Sequence, residues 1–413
     1  MSLFNGSCLQ SSLNIEDRVR CHLQPSEGCH VCAEEELFFF DLFSALPRAS
    51  SDCGPWSKGG TLCVCPACFI VQKHTDEFWR EEAASIYKNY NLYHQSSSQE
   101  EQPVFDAVTG VAKPRSVQLL ETLKKELSFF PLQGAALDIG CGTGAFLKAF
   151  SSVFEKGWSL YGFEPNVRSL EELTKIKSVR HVFQETLESI QERFELVSLI
   201  HSLEHIENPV ALLKQVAQLL APSGMVLIQV PYFEDNPFDL IIADHCTHFT
   251  PDTLRRTVER AGMQVLFLST EIIPKELTLI ASTSHPLQQT RHLSSVSPES
   301  MPIETLLEVV SENINWLNEV FSQAKSFSEF GVFGTSIAAN WLVSAFKENI
   351  KFFVDEDQTR KGTYHGKPVY HPLEIPNDEL TPILIPLSPA IAPTIFKRYA
   401  SKIRNPLHLP PSL

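Results

Sequence analysis

Apolar and polar positions alternate along this chain with two different rhythms. From Val117 the apolar residues Leu119, Leu120, Leu123 and Leu127 fall on one helical face. Short continuous apolar runs then alternate with helical patterns. Ala135–Ile139 reads as a buried strand, Ala145–Phe154 as a helix and Ser159–Phe163 as the next strand. Leu196–Ile200 and Met225–Val230 read as further buried strands, with a helix over Pro209–Leu220 between them. Strands that alternate with helices at this spacing predict a parallel, doubly wound α/β sheet. After the Ser- and Pro-rich stretch 288–300 the rhythm resumes. A long helix is expected over Ile303–Ala324, a strand over Phe330–Phe333, a helix over Ile337–Phe346 and a strand over Ile350–Val354. The unit strand, Gly turn, helix, strand, acid thus occurs twice.

Composition sets outer limits. The 413 residues suffice for two or three domains, and 43% hydrophobic with 20% charged residues describes a folded globular chain. A formal net charge of -15 argues against nucleic acid as a partner, because no broad phosphate-neutralising face is supplied. Leu37–Phe40 is too short an apolar run to span a bilayer, so no membrane association is expected. No secretory leader is recognisable, and a cytoplasmic location is the expectation.

In such a reducing setting clustered cysteines read as metal ligands before disulfides. Eight of the ten cysteines precede residue 69, and two pairs have knuckle spacing: Cys29-His30-Val31-Cys32 and Cys65-Pro66-Ala67-Cys68. Together they can offer four thiolates to one tetrahedral, structural zinc. Cys53 and Cys63 are close enough in sequence to substitute, while Cys8 and Cys21 read as ordinary thiols.

The most informative segment is Asp138-Ile139-Gly140-Cys141-Gly142-Thr143-Gly144. Small residues here let the backbone approach a ligand at the carboxyl end of a strand. Glu164 ends the next strand 20 positions after Gly144 and can accept bonds from both hydroxyls of a ribose. Gly140, Gly142 and Ala145 also satisfy the looser dinucleotide pattern. Asp138 tilts the choice towards S-adenosylmethionine (SAM), since a carboxylate there suits an ammonium group and repels a pyrophosphate. The polar strand end Leu199-Ile200-His201-Ser202-Leu203-Glu204-His205 supports the same choice, and His201 and His205 are expected to line the cofactor pocket.

At this point the chain resembles the class I SAM-dependent methyltransferases, and more narrowly the sugar C-methyltransferase family, from about Cys29 to about Tyr399. The resemblance implies a zinc-binding module at 20–75, a Tyr-rich connector at 76–110, a SAM domain at 111–287 and a C-terminal Rossmann-like half-domain at 300–413. Tyr87, Tyr90 and Tyr93 resemble the family's tyrosine stretch over the active site; spacing alone does not choose among them, and Tyr90 is carried forward as a candidate. Where the family shows Glu-His and then an aromatic residue, this chain has Asp244-His245 and then His248-Phe249. The resemblance implies that His245 is the base beside a ketone, that Asp244 orients it, and that a tyrosine or His248 steadies the oxyanion. Imidazole chemistry near neutrality suits that task. Read without the family, Asp244-His245 would cap the helix that starts at Thr250-Pro251-Asp252. His74 and His181 read as surface residues.

The implied substrate is a nucleotide-linked keto sugar, with the C-terminal unit (Val332–Ser336, Asp355, Gly366–Val369) against its nucleotide part. Two departures bear on that: Asp for Glu at 244, and Ile273–Leu277 where the family carries a glycine-rich segment. Transfer to oxygen or nitrogen of another glycan or metabolite, and a non-catalytic SAM-fold binding protein, are the alternatives.

Overall fold

The structure, a computed structural model, describes residues 18–22, 27–88, 101, 103–105, 112–165, 170–284, 301–376, 378 and 380–413. Its central sheet has seven strands: β1 (Gly134–Ile139), β2 (Trp158–Phe163), β3 (Val179–Phe183), β4 (Phe194–Ile200), β5 (Leu220–Pro231), β6 (Gln264–Ser269) and β7 (Glu276–Ser282). Their order is β3-β2-β1-β4-β5-β7-β6, parallel except for β7, which runs antiparallel to both neighbours. The strands are apolar on both faces because both faces are covered. Leu137, Val197 and Ile228 belong to one buried layer, while Ala136, Leu196 and Leu227 belong to the other.

Three helices place the chemistry. α1 (Ala145–Val153) starts directly after the glycine turn, with Gly144 at its cap in a left-handed conformation. α2 (Pro209–Leu219) is capped by Asn208, whose side chain accepts from the Ala211 amide. α3 (Pro251–Arg260) is capped by Thr250 in a reciprocal box with Thr253. That cap leaves Asp244 and His245 outside the helix start.

The N-terminal sheet is antiparallel over Arg18–His22, Glu36–Phe40, Leu62–Val64 and Val71–Lys73. Its fifth strand, Thr247–His248, is lent by the segment that follows β5. Beyond it the stretch expected as a Tyr-rich connector at 76–110 begins as a helix, Glu77–Lys88, with Ile86 buried. In the C-terminal unit Phe330–Phe333, Ile350–Val354, Lys367–Tyr370, Ile383–Leu384 and Leu407–His408 form a parallel sheet, edged by the antiparallel Gly362–Tyr364.

One apolar core ties these units together. Phe40, Phe43 and Val71 of the N-terminal unit pack in the same cluster as Phe238 and Ile241 and as Trp316, Trp341 and Phe353. The Phe238 ring lies 5.4 Å from Trp316 and 5.6 Å from Trp341. Trp341 Nε1 also donates to the Pro47 carbonyl at 2.8 Å. The segment 233–241 is therefore held from two sides before it enters the polar loop 244–248. Among the described residues no helix is long and apolar enough to cross a membrane.

Candidate active site

The glycine turn is built as a cradle. Gly140, Gly142 and Gly144 have φ of 74°, 49° and 83°, a region that only glycine enters cheaply. A Cβ on Gly144 would come within 2.6 Å of Leu173 and Ile176, and one on Gly140 within 2.9 Å of Ser202. A Cβ on Gly142 would meet nothing within 4 Å, so that residue faces open space. The Gly142 amide donates to Glu164 Oε2 at 3.2 Å, which brings the ribose-binding candidate to the lip of the same turn. Cys141 turns inward, and Gly162 on β2 is small because a Cβ there would touch its sulfur at 2.7 Å.

Asp138 is 3% exposed, and burial pushes its carboxyl up to about 7 despite the hydrogen bond from Ser198 Oγ at 2.7 Å. A buried carboxylate with one hydroxyl donor is unpaired in charge, and a ligand's ammonium group would remedy that. The open cradle, Asp138 and Glu164 therefore fit SAM.

His201 stands at the end of β4 with φ 51°. Its ring pairs with Glu276 on one side and lies 3.3 Å from Glu204 on the other. Burial and Arg115 oppose its charge, yet the two acids raise it to about 9. Arg115 completes the network with Glu276 at 3.1 Å. His201 is thus paired with two acids.

His205 joins a second cluster. Its Nδ1 is 3.0 Å from the Tyr87 hydroxyl and 3.0 Å from the Asp244 carbonyl oxygen, and its ring meets His245 edge-on at 4.6 Å. Glu204, His205 and His245 bring ligand-type atoms within 4.8 Å of one another. Of the three tyrosines, Tyr87 is in contact here; Tyr90 and Tyr93 lie outside the described residues.

The acid that meets His245 is not its neighbour. Asp244 instead accepts from the Ser51 amide at 2.9 Å and the Ser51 hydroxyl at 2.5 Å, anchoring the loop to the N-terminal unit. The partner of His245 is Asp239, whose Oδ1 lies 2.7 Å from Nδ1. Burial opposes the imidazolium of His245, but Asp239 raises its pKa overall. Asp239 Oδ2 lies 2.6 Å from His248 Nδ1, and His248 Nε2 lies 3.4 Å from Lys73 Nζ. With both ring nitrogens engaged and 1% exposure, His248 stands behind His245 instead of facing a substrate oxyanion as expected. Burial lowers His248 to about 4 and Lys73 to about 7, and the two imidazoles hold the Asp239 carboxyl far below its usual range against its own burial.

Sequence reading missed Asp239, Glu204 and Lys73. Asp239 precedes His245 by six positions in irregular chain, where no period relates them. His74 is a correction: it is 9% exposed, packs edge-on against Phe39 at 5.9 Å and lies 3.8 Å from Glu27. His181 is exposed.

Cys29, Cys32, Cys65 and Cys68 bring their sulfurs within 4.8 Å of one another, with 3.3 Å between Cys29 and Cys68 and 3.5 Å between Cys32 and Cys65. Tetrahedral zinc with ~2.3 Å bonds separates its sulfurs by roughly 3.8 Å, so the four thiols fit that ion. Cys53 and Cys63 stay outside the cluster; Cys63 donates to the Gln72 carbonyl at 3.4 Å. His30, inside the first knuckle, lies 3.0 Å from Thr247 Oγ1 and so touches the loop that carries His245. In the C-terminal unit, Thr335 donates to Asp355 at 2.6 Å and Arg360 to Thr335 at 2.7 Å, which closes the turn after Phe333.

Residues 113–267 match the family model described as a methyltransferase domain. The C-methyltransferase NovU of Streptomyces niveus is 28% identical over 267 residues, covering 60% of this chain and 58% of its own. A ubiquinone biosynthesis O-methyltransferase of Aeromonas salmonicida is 25% identical over 155 residues, 32% of this chain and 64% of its own. The chain spans about three fifths of the length of these relatives. Among solved structures, the mitomycin 7-O-methyltransferase MmcR aligns over 41% of this chain and 53% of its own, at 16% identity and TM-score 0.35. Residues 113–267 thus resemble a methyltransferase domain.

Proposed function

We propose that this methyltransferase transfers the methyl group of SAM to a carbon beside the carbonyl of a nucleotide-linked keto sugar, with His245 as the base. The observation that carries the reading is the Asp239–His245 pair, 2.7 Å apart and buried beside the carboxyl ends of β4 and β5. In an open α/β sheet that end is where ligands bind. The pair is braced from behind, since the second oxygen of Asp239 is held by His248 at 2.6 Å.

The chemistry follows from what each side chain can do. Asp138 and Glu164 would hold the ammonium and ribose of SAM, which supplies an electrophilic methyl when bound. Asp239 accepts a hydrogen bond from Nδ1–H of His245, which leaves Nε2 as the basic atom. His245 takes the proton from the acceptor carbon and becomes an imidazolium, stabilised by Asp239. The carbanion's charge moves to the carbonyl oxygen, for which the Tyr87 hydroxyl, 3.0 Å from His205, is a donor in reach of the cluster. The four-cysteine site would hold a structural zinc, whose four thiolates leave no open position for catalysis. NovU's description as a C-methyltransferase supports carbon as the acceptor.

One feature favours a second reading, transfer to oxygen or nitrogen of another acceptor. Lys275 lies within Ile273–Leu277, where the resemblance expects a glycine-rich segment, with φ 67° and its pKa lowered by burial. A side chain there narrows the space a sugar would need. Incubation with methyl-labelled SAM and a nucleoside-diphosphate 4-ketohexose, followed by NMR of the product, tests the choice. Label on carbon is expected. Label on oxygen would favour the second reading, and SAM binding without any transfer would favour a binding protein.

A further inference from the structure

Four charged or titratable side chains run in one buried line from the N-terminal sheet to the proposed base. Lys73 Nζ lies 3.4 Å from His248 Nε2, His248 Nδ1 2.6 Å from Asp239 Oδ2, and Asp239 Oδ1 2.7 Å from His245 Nδ1. Their exposures are 0% for Lys73, 1% for His248 and Asp239, and 4% for His245.

The line has a direction. Lys73 Nζ also lies 3.0 Å from the Ile242 carbonyl oxygen and 3.4 Å from that of His245, and both can only accept. In its ammonium form Lys73 has three hydrogens and no lone pair, so two go to the carbonyls and the third goes to His248 Nε2. His248 must then carry its own hydrogen on Nδ1 and donate it to Asp239. With Oδ2 filled by a donor, the carboxylate turns Oδ1 to His245 and receives a second hydrogen from that Nδ1. His245 Nε2 is left with a free lone pair.

We propose that Lys73 is a positioning residue for the methyl transfer, fixing the tautomer and orientation of His245 through His248 and Asp239. The inference rests on His245 being the base. Asp239 alone would accept from His245, but its second oxygen would then be buried with no donor, a costly arrangement. Without Lys73, His248 is free to place its hydrogen on Nε2. Its Nδ1 lone pair would then face Asp239 Oδ2, and that repulsion moves the carboxylate from His245. Lys73 lies on the strand Val71–Lys73, which follows the second cysteine knuckle and pairs with Thr247–His248. The cysteine module thereby gains a part in catalysis beyond stability.

The test uses the full chain with its metal and S-adenosylhomocysteine, labelled with ¹⁵N-histidine. In the wild type, at a pH above the raised pKa of His245, NMR is expected to find His245 and His248 both protonated at Nδ1 and bare at Nε2. In Lys73→Met, His248 is expected to populate both tautomers. Turnover of a nucleoside-diphosphate 4-ketohexose should fall at least tenfold, with KM, S-adenosylhomocysteine affinity and zinc content unchanged. Asp239→Asn should lose roughly 10³–10⁴-fold in kcat, the scale seen when a triad acid becomes an amide. A neutral wild-type His245 that carries its hydrogen on Nε2 would overturn the proposal, and that result needs no variant to fold. So would Lys73→Met with wild-type kcat and an unchanged His248. Failure of the base reading looks different: His245→Gln would then keep its turnover, whatever tautomers the NMR finds.

Discussion

Alanine at two glycines of the same turn should separate folding from cofactor binding. Gly142 and Gly144 both have left-handed φ, 49° and 83°, so each substitution costs about 1–2 kcal/mol of backbone strain. At Gly144 the new Cβ also lands 2.6 Å from Leu173 and Ile176, an overpacking cost of about 1–3 kcal/mol more. Gly144→Ala is therefore expected to lose about 2–5 kcal/mol, on the order of 10 °C in Tm for a domain of this size. Gly142→Ala meets no protein atom within 4 Å and should lose only the strain, roughly 5 °C. If SAM fills that open space, the same methyl clashes with the ligand. A clash of about 1–3 kcal/mol weakens binding about 5- to 150-fold. Thermal denaturation and titration calorimetry with S-adenosylhomocysteine read the two effects separately. Wild-type affinity in Gly142→Ala would refute the cradle as the cofactor site.

Other outcomes follow from the same geometry. His245→Gln should lower turnover about 10²–10⁴-fold while calorimetry shows unchanged cofactor affinity. The base must be neutral to act and Asp239 raises its pKa, so kcat/KM should climb with pH through a value above the ordinary histidine range. In Asp239→Asn that limb should move to lower pH. His201 has a folded pKa raised to about 9, so its stabilisation is complete below about 6.5 and fades as pH rises through 9. Urea unfolding of the wild type should weaken across that window, and His201→Gln should flatten the slope. Metal analysis should find one zinc per chain, and Cys65→Ser should lose it together with turnover, because the second knuckle leads into the strand that pairs with Thr247–His248.

The central sheet was legible in the chain because its strands are covered on both faces, which turns them into unbroken apolar runs. The glycine turn and the cysteine knuckles were legible for a similar reason: close approach and metal geometry each demand particular residues at short, fixed spacing. Strands Phe330–Phe333 and Ile350–Val354 and helix Ile337–Phe346 coincide with the expectation, since each is apolar and ends at a turn. What the chain hid were relations across distance. Thr247–His248 is too short to show a period, yet it completes a sheet whose other strands end at Lys73. Lys73 in an alternating strand would be read as solvent-facing, whereas it is buried under that added strand. The resemblance made Asp244 the partner of His245, but Ser51 holds the Asp244 carboxylate and Asp239 reaches the ring instead. Asp239 follows Phe238, whose ring packs against Trp316 and Trp341 and so anchors the start of the segment that turns back to His245.

The most direct test of the account is hydrogen exchange at the acceptor carbon. A nucleoside-diphosphate 4-ketohexose in D₂O, with the protein and S-adenosylhomocysteine but no SAM, should take up deuterium beside its carbonyl at a rate that His245→Gln abolishes. Exchange no faster than without protein, or unchanged in the variant, would contradict carbon methylation through His245.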